Sequence, residues 1–311
     1  RIGDFYEMFF EDAITASREL EITLTGKDCG LEERAPMCGI PFHAVDGYLN
    51  RLVSKGYKVA ICEQVEDPKL AKGIVKREVI RIVTPGTNLN TQALEESKNN
   101  YLMCIACFQN RIGVSIVDVT TGDFYMTEVE GLAKLQDEIY KYMPTEIICN
   151  DAFVMSGYDI EDLKGRLGMA VYTLEPWYFD DDGCRKCLMN HFKVNTLAGL
   201  GLEDFPSGMI SAGAAMQYLL ETQKTDLTHI NHIIPYLASR FMLLDSSTRR
   251  NLELTETLRE KQKKGSLLWV LDKTKTAMGA RRLRSDIEQP LINIDDINAR
   301  LDAVEQLCKN T

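Results

Sequence analysis

No stretch of this chain approaches the ~20 consecutive apolar residues that a bilayer-crossing helix needs, and its first residues, Arg1 to Glu7, mix both charge signs. A secretory signal would show a basic run and then an apolar one, so the expectation is a cytoplasmic protein with no membrane partner. Cysteine is sparse, with nine in 311 residues. An odd count at that density does not build a disulfide scaffold, and reduced thiols are expected. Two C-x-x-C pairs occur. Cys104 and Cys107 lie in a strand-like run where residues i and i+3 face opposite sides, and Cys184 and Cys187 open a helical pattern. Neither pair has the Gly or Pro turn of a zinc knuckle. His229 and His232 have no acidic partner in a motif, so no metal site is expected. No G-x-x-x-x-G-K-[ST] phosphate loop occurs, and neither does an internal repeat or a low-complexity segment.

An excess of positive charge is lacking too. The formal net charge is −10, which argues against a uniformly basic nucleic-acid binder. The distribution matters more than the sum. From Asp67 to Gly86, five basic residues (Lys69, Lys72, Lys76, Arg77, Arg81) face Asp67 and Glu78, a local +3. From Gln223 to Arg284, thirteen basic residues stand against six acidic ones, a local +7. Such stretches form solvated faces or contacts to a phosphate backbone.

What is present reads as an α/β multidomain chain. Residues 1–87 alternate strands and helices and form a small mixed α/β domain. Its expected strands are Gly3 to Phe9, Ile22 to Gly26, Val59 to Cys62 as a central strand, and Val79 to Val83. Its expected helices are Asp12 to Leu20 and one carrying Val45, Tyr48, Leu49, Leu52 and Val53 on one face, closed by Gly56. Residues 88–100 are polar and read as a linker. Residues 101–227 begin with three strands joined by hairpin turns and continue in α/β alternation. That order resembles a ribonuclease H-like fold, with Asp118 on the second strand. One acid, with Asp123 nearby, does not make a two-metal nuclease site. Residues 228–311 read as all-helical: Ser266 and Thr276 cap two helices, and Ile294, Ile297, Leu301, Val304 and Cys308 stripe a third. With nothing comparable to pack on, these helices are expected to open a larger helical domain, in a chain cut at both ends.

The most informative motif comes first in the chain. Phe5-Tyr6-Glu7 follows a glycine in an apolar run, and alternation in a strand puts Phe5 and Glu7 on one face. A ring beside a carboxylate can enter a base stack and hydrogen-bond to a base, as the wedges of DNA-kinking proteins do. Four further blocks follow in order: Pro36-Met37-Cys38-Gly39-Ile40-Pro41-Phe42-His43-Ala44-Val45, Val59-Ala60-Ile61-Cys62-Glu63-Gln64, Arg81-Ile82-Val83-Thr84-Pro85-Gly86-Thr87, and Leu244-Asp245-Ser246-Ser247-Thr248-Arg249-Arg250-Asn251-Leu252-Glu253.

With these blocks the chain resembles the bacterial MutS family of DNA mismatch-recognition proteins along its whole length. The resemblance implies a mismatch-binding domain, a ribonuclease H-like connector and the start of a helical core and lever domain. It implies that Phe5 stacks on a mispaired base and that Glu7 hydrogen-bonds to it. Met37 either lines the groove beside the wedge or fills the core; Lys76 and Arg77 either contact the DNA backbone or edge the domain in solvent. The implied partners are mismatched double-stranded DNA, a second copy of the full-length protein, and a MutL-type protein docked on the connector. ATP and Mg belong to an ATPase domain beyond Thr311, so no cofactor and no catalysis are expected here. Family members that serve recombination lack the Phe-x-Glu pair. The alternatives are an interaction module of the same parent and a metal-dependent nuclease.

Overall fold

The computed structural model describes residues 1–30, 32–66, 73, 75–88 and 98–309. Lys69 and Lys72, and most of the expected linker, lie outside the described residues.

In the first unit, strand β1 (Phe5–Phe9) leads into helix α1 (Phe10–Leu20). Ala13, Ala16 and Leu20 form the buried stripe of α1; Glu11 and Asp12 sit at its positive end and Arg18 at its negative end. Strands β2 (Thr25–Lys27) and β3 (Ala35–Pro41) follow, and β3 is the centre of an antiparallel sheet ordered β1-β3-β2. Helix α2 (Val45–Ser54) buries Leu52 and Val53, and Gly56 follows its end with φ +84. Ala13, Ala16, Leu20, Cys38 and Leu52 make the small core.

Strands β4 (Val59–Gln64) and β5 (Arg77–Val83) form a separate two-stranded antiparallel ladder. The expected central strand at Val59 to Cys62 is therefore corrected: among the described residues β4 pairs only with β5, through an irregular register at Ile61/Cys62. The strand expected at Ile22 to Gly26 also shifts, to Thr25–Lys27. Its position is set by pairing with Ala35 to Met37 rather than by local pattern.

The second unit holds a six-stranded sheet ordered β10-β9-β6-β7-β8-β11. Strands β6 (Tyr101–Phe108), β7 (Arg111–Asp118) and β8 (Asp123–Glu130) form an antiparallel meander. Helix α3 (Gly131–Tyr142), strand β9 (Glu146–Cys149), short helices α4 (Asp151–Val154) and α5 (Ile160–Gly165), and strand β10 (Ala170–Thr173) follow, with β9 parallel to β6 and β10 parallel to β9. Helices α6 (Asp181–Phe192) and α7 (Pro206–Gln223) cover the opposite face. Alternation on β6 sends Leu102, Cys104 and Ala106 into the core under α6 and α7, and Met103, Ile105 and Cys107 into the core with α3, α4 and α5. Cys104 and Cys107 thus sit in different cores.

Beyond residue 227 the structure departs from the all-helical expectation. Strand β11 (Ile234–Pro235) extends the sheet in parallel with β8. Tyr236 secures it, donating its N–H to Met126 O at 2.9 Å and accepting from Thr127 Oγ1 at 2.7 Å. Helices α8 (Ser246–Asn251), α9 (Leu267–Leu271), α10 (Ala277–Glu288) and α11 (Ile294–Lys309) complete the chain. Ser266 accepts from Trp269 N–H at 3.2 Å and Thr276 from Gly279 N–H at 3.1 Å, the caps expected of those residues. The apolar stripe of α11 faces outward, with Ile294 72% and Leu301 60% exposed.

Candidate nucleic-acid interface

The register of β1 against β3 pairs Phe5 with Pro41, Glu7 with Gly39 and Phe9 with Met37, and β2 adds Thr25 opposite Met37. Directly paired residues share a face. One face of the sheet therefore carries Phe5, Glu7, Phe9, Met37, Gly39 and Lys27. The other carries Met8, Cys38 and Ile40, with Cys38 and Ile40 buried and Met8 packed beside α1 and α2. The helices thus cover the core side and leave the Phe5 side open.

On that open side the Phe5 ring is 48% exposed. Gly39 lies across from Glu7, and a Cβ there would stand 3.7 Å from Glu7 Cγ and 3.8 Å from Phe5 Cδ1. The missing side chain leaves a shallow floor between ring and carboxylate. Glu7 is half-buried and receives Lys27 Nζ at 2.5 Å; the same ammonium stands 5.4 Å from the centroid of Phe9. On the core side the Tyr6 hydroxyl donates to Glu63, and burial, reinforced by that carboxylate, pushes its pKa up to about 12. Tyr6 is therefore a fixed neutral donor that ties β1 to β4. The Arg1 guanidinium lies 4.1 Å over the Phe42 ring and 3.8 Å from Glu63, framing the lead-in to Phe5.

Met37 is half-buried on the same face as Phe5 and Glu7. Arg77 opens β5 and Lys76 precedes it, in the two-stranded ladder rather than the three-stranded sheet. Lys76 pairs with Glu78 at 2.6 Å, and Arg77 donates to the carbonyls of Arg1 and Val75 at 3.4 and 3.2 Å. Part of the second basic stretch, Arg249, Arg250, Lys261, Arg281 and Arg284, lines a cavity of about 670 Å³ together with Lys141 and Glu288.

Asp118 is buried and saturated: its carboxylate accepts from Asn99, from the Asn100 and Thr120 N–H groups and from the Thr120 hydroxyl, at 2.6 to 3.1 Å. It holds the start of the β7–β8 turn. His229 faces Val119 O at 2.8 Å, and His232 faces Asn231 Oδ1 at 2.8 Å. Sequence reasoning missed Lys27 and Gly39, because only the β1-β3-β2 register brings them to Glu7. No helix among the described residues is long and apolar enough to cross a membrane.

Fold and site together define a modular α/β protein that displays an aromatic ring and a carboxylate from an uncovered sheet face. Family models for MutS domain I, MutS domain II and MutS domain III match residues 1–92, 100–231 and 247–311. The chain belongs to the MutS family. It is 67% identical over 310 residues to the DNA mismatch repair protein MutS of Lachnoclostridium phytofermentans, covering 100% of this chain and 33% of that protein. Identity is 57% to the protein of the same name from Ruminiclostridium cellulolyticum and 54% to that from Acetivibrio thermocellus, covering 99% and 98% of this chain and 35% of each relative. The chain spans about a third of the length of the curated relatives it matches.

Proposed function

We propose that this chain is the lesion-reading part of a longer DNA mismatch repair protein, in which Phe5 stacks on a mispaired or unpaired base and Glu7 hydrogen-bonds to it. The observation that carries this reading is the exposed Phe5 ring beside Glu7 on the face of the three-stranded sheet opposite α1 and α2. Opening a base step costs a few kcal/mol. A mismatch has already lost pairing and stacking energy, so the ring enters there more cheaply than at a paired step, and the duplex kinks at the wedge. Discrimination then comes from deformability. Glu7 adds a penalty on normal duplex, whose phosphates and acceptor edges repel a carboxylate. The Lys27 contact tempers that charge before DNA arrives; a half-exposed ion pair is worth at most about 1 kcal/mol, so it yields readily to a base.

Met37 lines the groove beside the ring, and Lys76 and Arg77 are the candidates for backbone contacts. The meander β6-β7-β8 with parallel β9 and β10 supports a ribonuclease H-like connector, the surface offered to a MutL-type partner. The exposed stripe of α11 supports a helical core and lever domain that continues past Thr311. ATP and Mg are assigned to a further domain of the parent, a cytoplasmic homodimer. The saturated carboxylate of Asp118 gives a nuclease reading no support.

The test is binding of the full-length parent to a G·T or unpaired-T duplex and to a matched duplex. Aromatic stacking is worth about 1–3 kcal/mol per base by alanine substitution. Phe5→Ala is therefore expected to cut the preference for the lesion by roughly five- to 150-fold. An undiminished preference overturns the wedge assignment.

A further inference from the structure

Glu146, the first residue of β9, is fully buried where the first unit meets the sheet of the second. Both carboxylate oxygens are engaged. Oε2 accepts the Thr84 hydroxyl at 2.5 Å and the Gly86 N–H at 2.8 Å, both from the first unit; Oε1 accepts the Tyr218 hydroxyl of α7 at 2.6 Å. The Thr84–Thr87 turn is closed on itself, with Thr84 N–H donating to Thr87 Oγ1 at 3.0 Å. It thus presents its two donors to Glu146 in a fixed geometry. Gly86 permits the approach: a Cβ there would fall 3.0 Å from Glu146 Cβ and 3.0 Å from Leu102 Cβ.

A cation completes the set. Lys58 Nζ, from the residue just before β4, stands 3.7 Å from the Tyr172 ring centroid and 5.0 Å from that of Tyr218. It is the charge that offsets the carboxylate of Glu146. Tyr172 in turn donates to Gly56 O at 2.5 Å, and Gln223 Nε2 to Ile82 O at 3.4 Å. The bonds of Thr84, Gly86, Tyr172 and Gln223 each join the first unit to the connector. Burial pushes the Glu146 carboxyl up and the Lys58 ammonium down, so the assembly carries a desolvation cost that an apolar contact of the same shape would not. A buried ionic cluster is weak evidence for stability and better evidence for a geometry that must be unique.

We infer that Glu146, with Lys58, Thr84 and Tyr218, is a latch that sets the orientation of the Phe5-bearing unit on the connector, and so acts as a positioning residue for lesion recognition. The inference rests on the proposed function for its consequence but not for its structural content. Glutamine at position 146 keeps the shape but offers one acceptor oxygen in place of two, and turns an N–H₂ toward donors. The two units then share a contact without a fixed angle, and relative domain motion is the default for such interfaces.

The experiment uses the full-length parent with a fluorophore pair introduced at the exposed positions Glu11 and Met155 through non-natural amino acids, and reads inter-domain distance distributions without DNA. Glu146→Gln is expected to broaden the distribution, with the secondary structure of each unit intact. It is also expected to lower the preference for a G·T over a matched duplex while leaving Phe5 in place. An unchanged distribution overturns the latch. If Glu146→Gln fails to fold, Thr84→Val removes one donor at constant shape and Lys58→Met removes the cation; the same broadening supports the latch in either, and its absence in both overturns it. A broadened distribution in a protein that never prefers a lesion upholds the latch and removes the DNA reading.

Discussion

Phe5 and Glu7 owe their common face to strand alternation, and the pair exposes a ring while holding a charge. The role assigned to Glu7 can be separated from that of the ring. Replacing the carboxylate by an isosteric amide removes the repulsion from matched DNA and keeps an acceptor for the lesion. Glu7→Gln in the full-length parent is predicted to tighten binding to a matched duplex by roughly fivefold, the equivalent of about 1 kcal/mol, and so to narrow discrimination. Unchanged affinity for matched DNA counts against the repulsion argument. At this scale the sequence disclosed the pair but not its surroundings. Alternation is local and visible in Phe5-Tyr6-Glu7. Lys27 and Gly39 are 20 and 32 residues further on, and only the register that places β3 between β1 and β2 makes them neighbours. The same register puts Met37 on the wedge face.

The elements differ in how far their own residues announce them. Helix α1 shows its stripe plainly, whereas α7 is buried on nearly every side, so Ser207 to Ala215 has no apolar period to read. Strand β3 was hidden by its two prolines, which sit at positions 36 and 41 near its ends, where a strand tolerates them. Helix α7 instead depends on tight seating against the sheet. A Cβ at Gly113 of β7 would lie 1.9 Å from Ser207 O, a backbone atom that cannot step aside. Gly113→Ala is predicted to destabilise the chain by about 3 kcal/mol, the upper range for overpacking, as measured by urea unfolding. A loss below about 0.5 kcal/mol, the scale of an ordinary surface change, contradicts this seating.

Across the whole molecule a mixed α/β chain was legible from turn chemistry and periodicity, whereas the stretch read as all-helical contains β11. The joins were not legible, because they are made by side chains far apart in sequence. Glu146 reaches back to Thr84, and at the other end Lys141 of α3 is enclosed by Tyr236 and Phe241 at 4.1 and 4.4 Å, with Glu138 at 3.3 Å. Burial lowers Lys141 to about 8, with Glu138 resisting that fall. An unfolded lysine titrates near ~10.4. Between the two values the unfolded chain holds a proton that the folded chain has released, so stability rises with pH across that window by at most ~1.4 kcal/mol per unit. Lys141→Met is predicted to flatten this rise, seen as a smaller gain in unfolding free energy on going from pH 8 to about 9.5. Parallel profiles for the two proteins contradict the burial of a neutral lysine.

Contact between Phe5 and the mispaired base can be captured by a zero-length crosslink. Full-length parent protein is bound to duplexes carrying 5-iodouracil at the mispaired position or at a paired one, irradiated, and the joined peptide is sequenced by mass spectrometry. A crosslink to Phe5 from the mispaired base alone is the expected result. A crosslink at any other residue, or equal yield from the paired position, contradicts it.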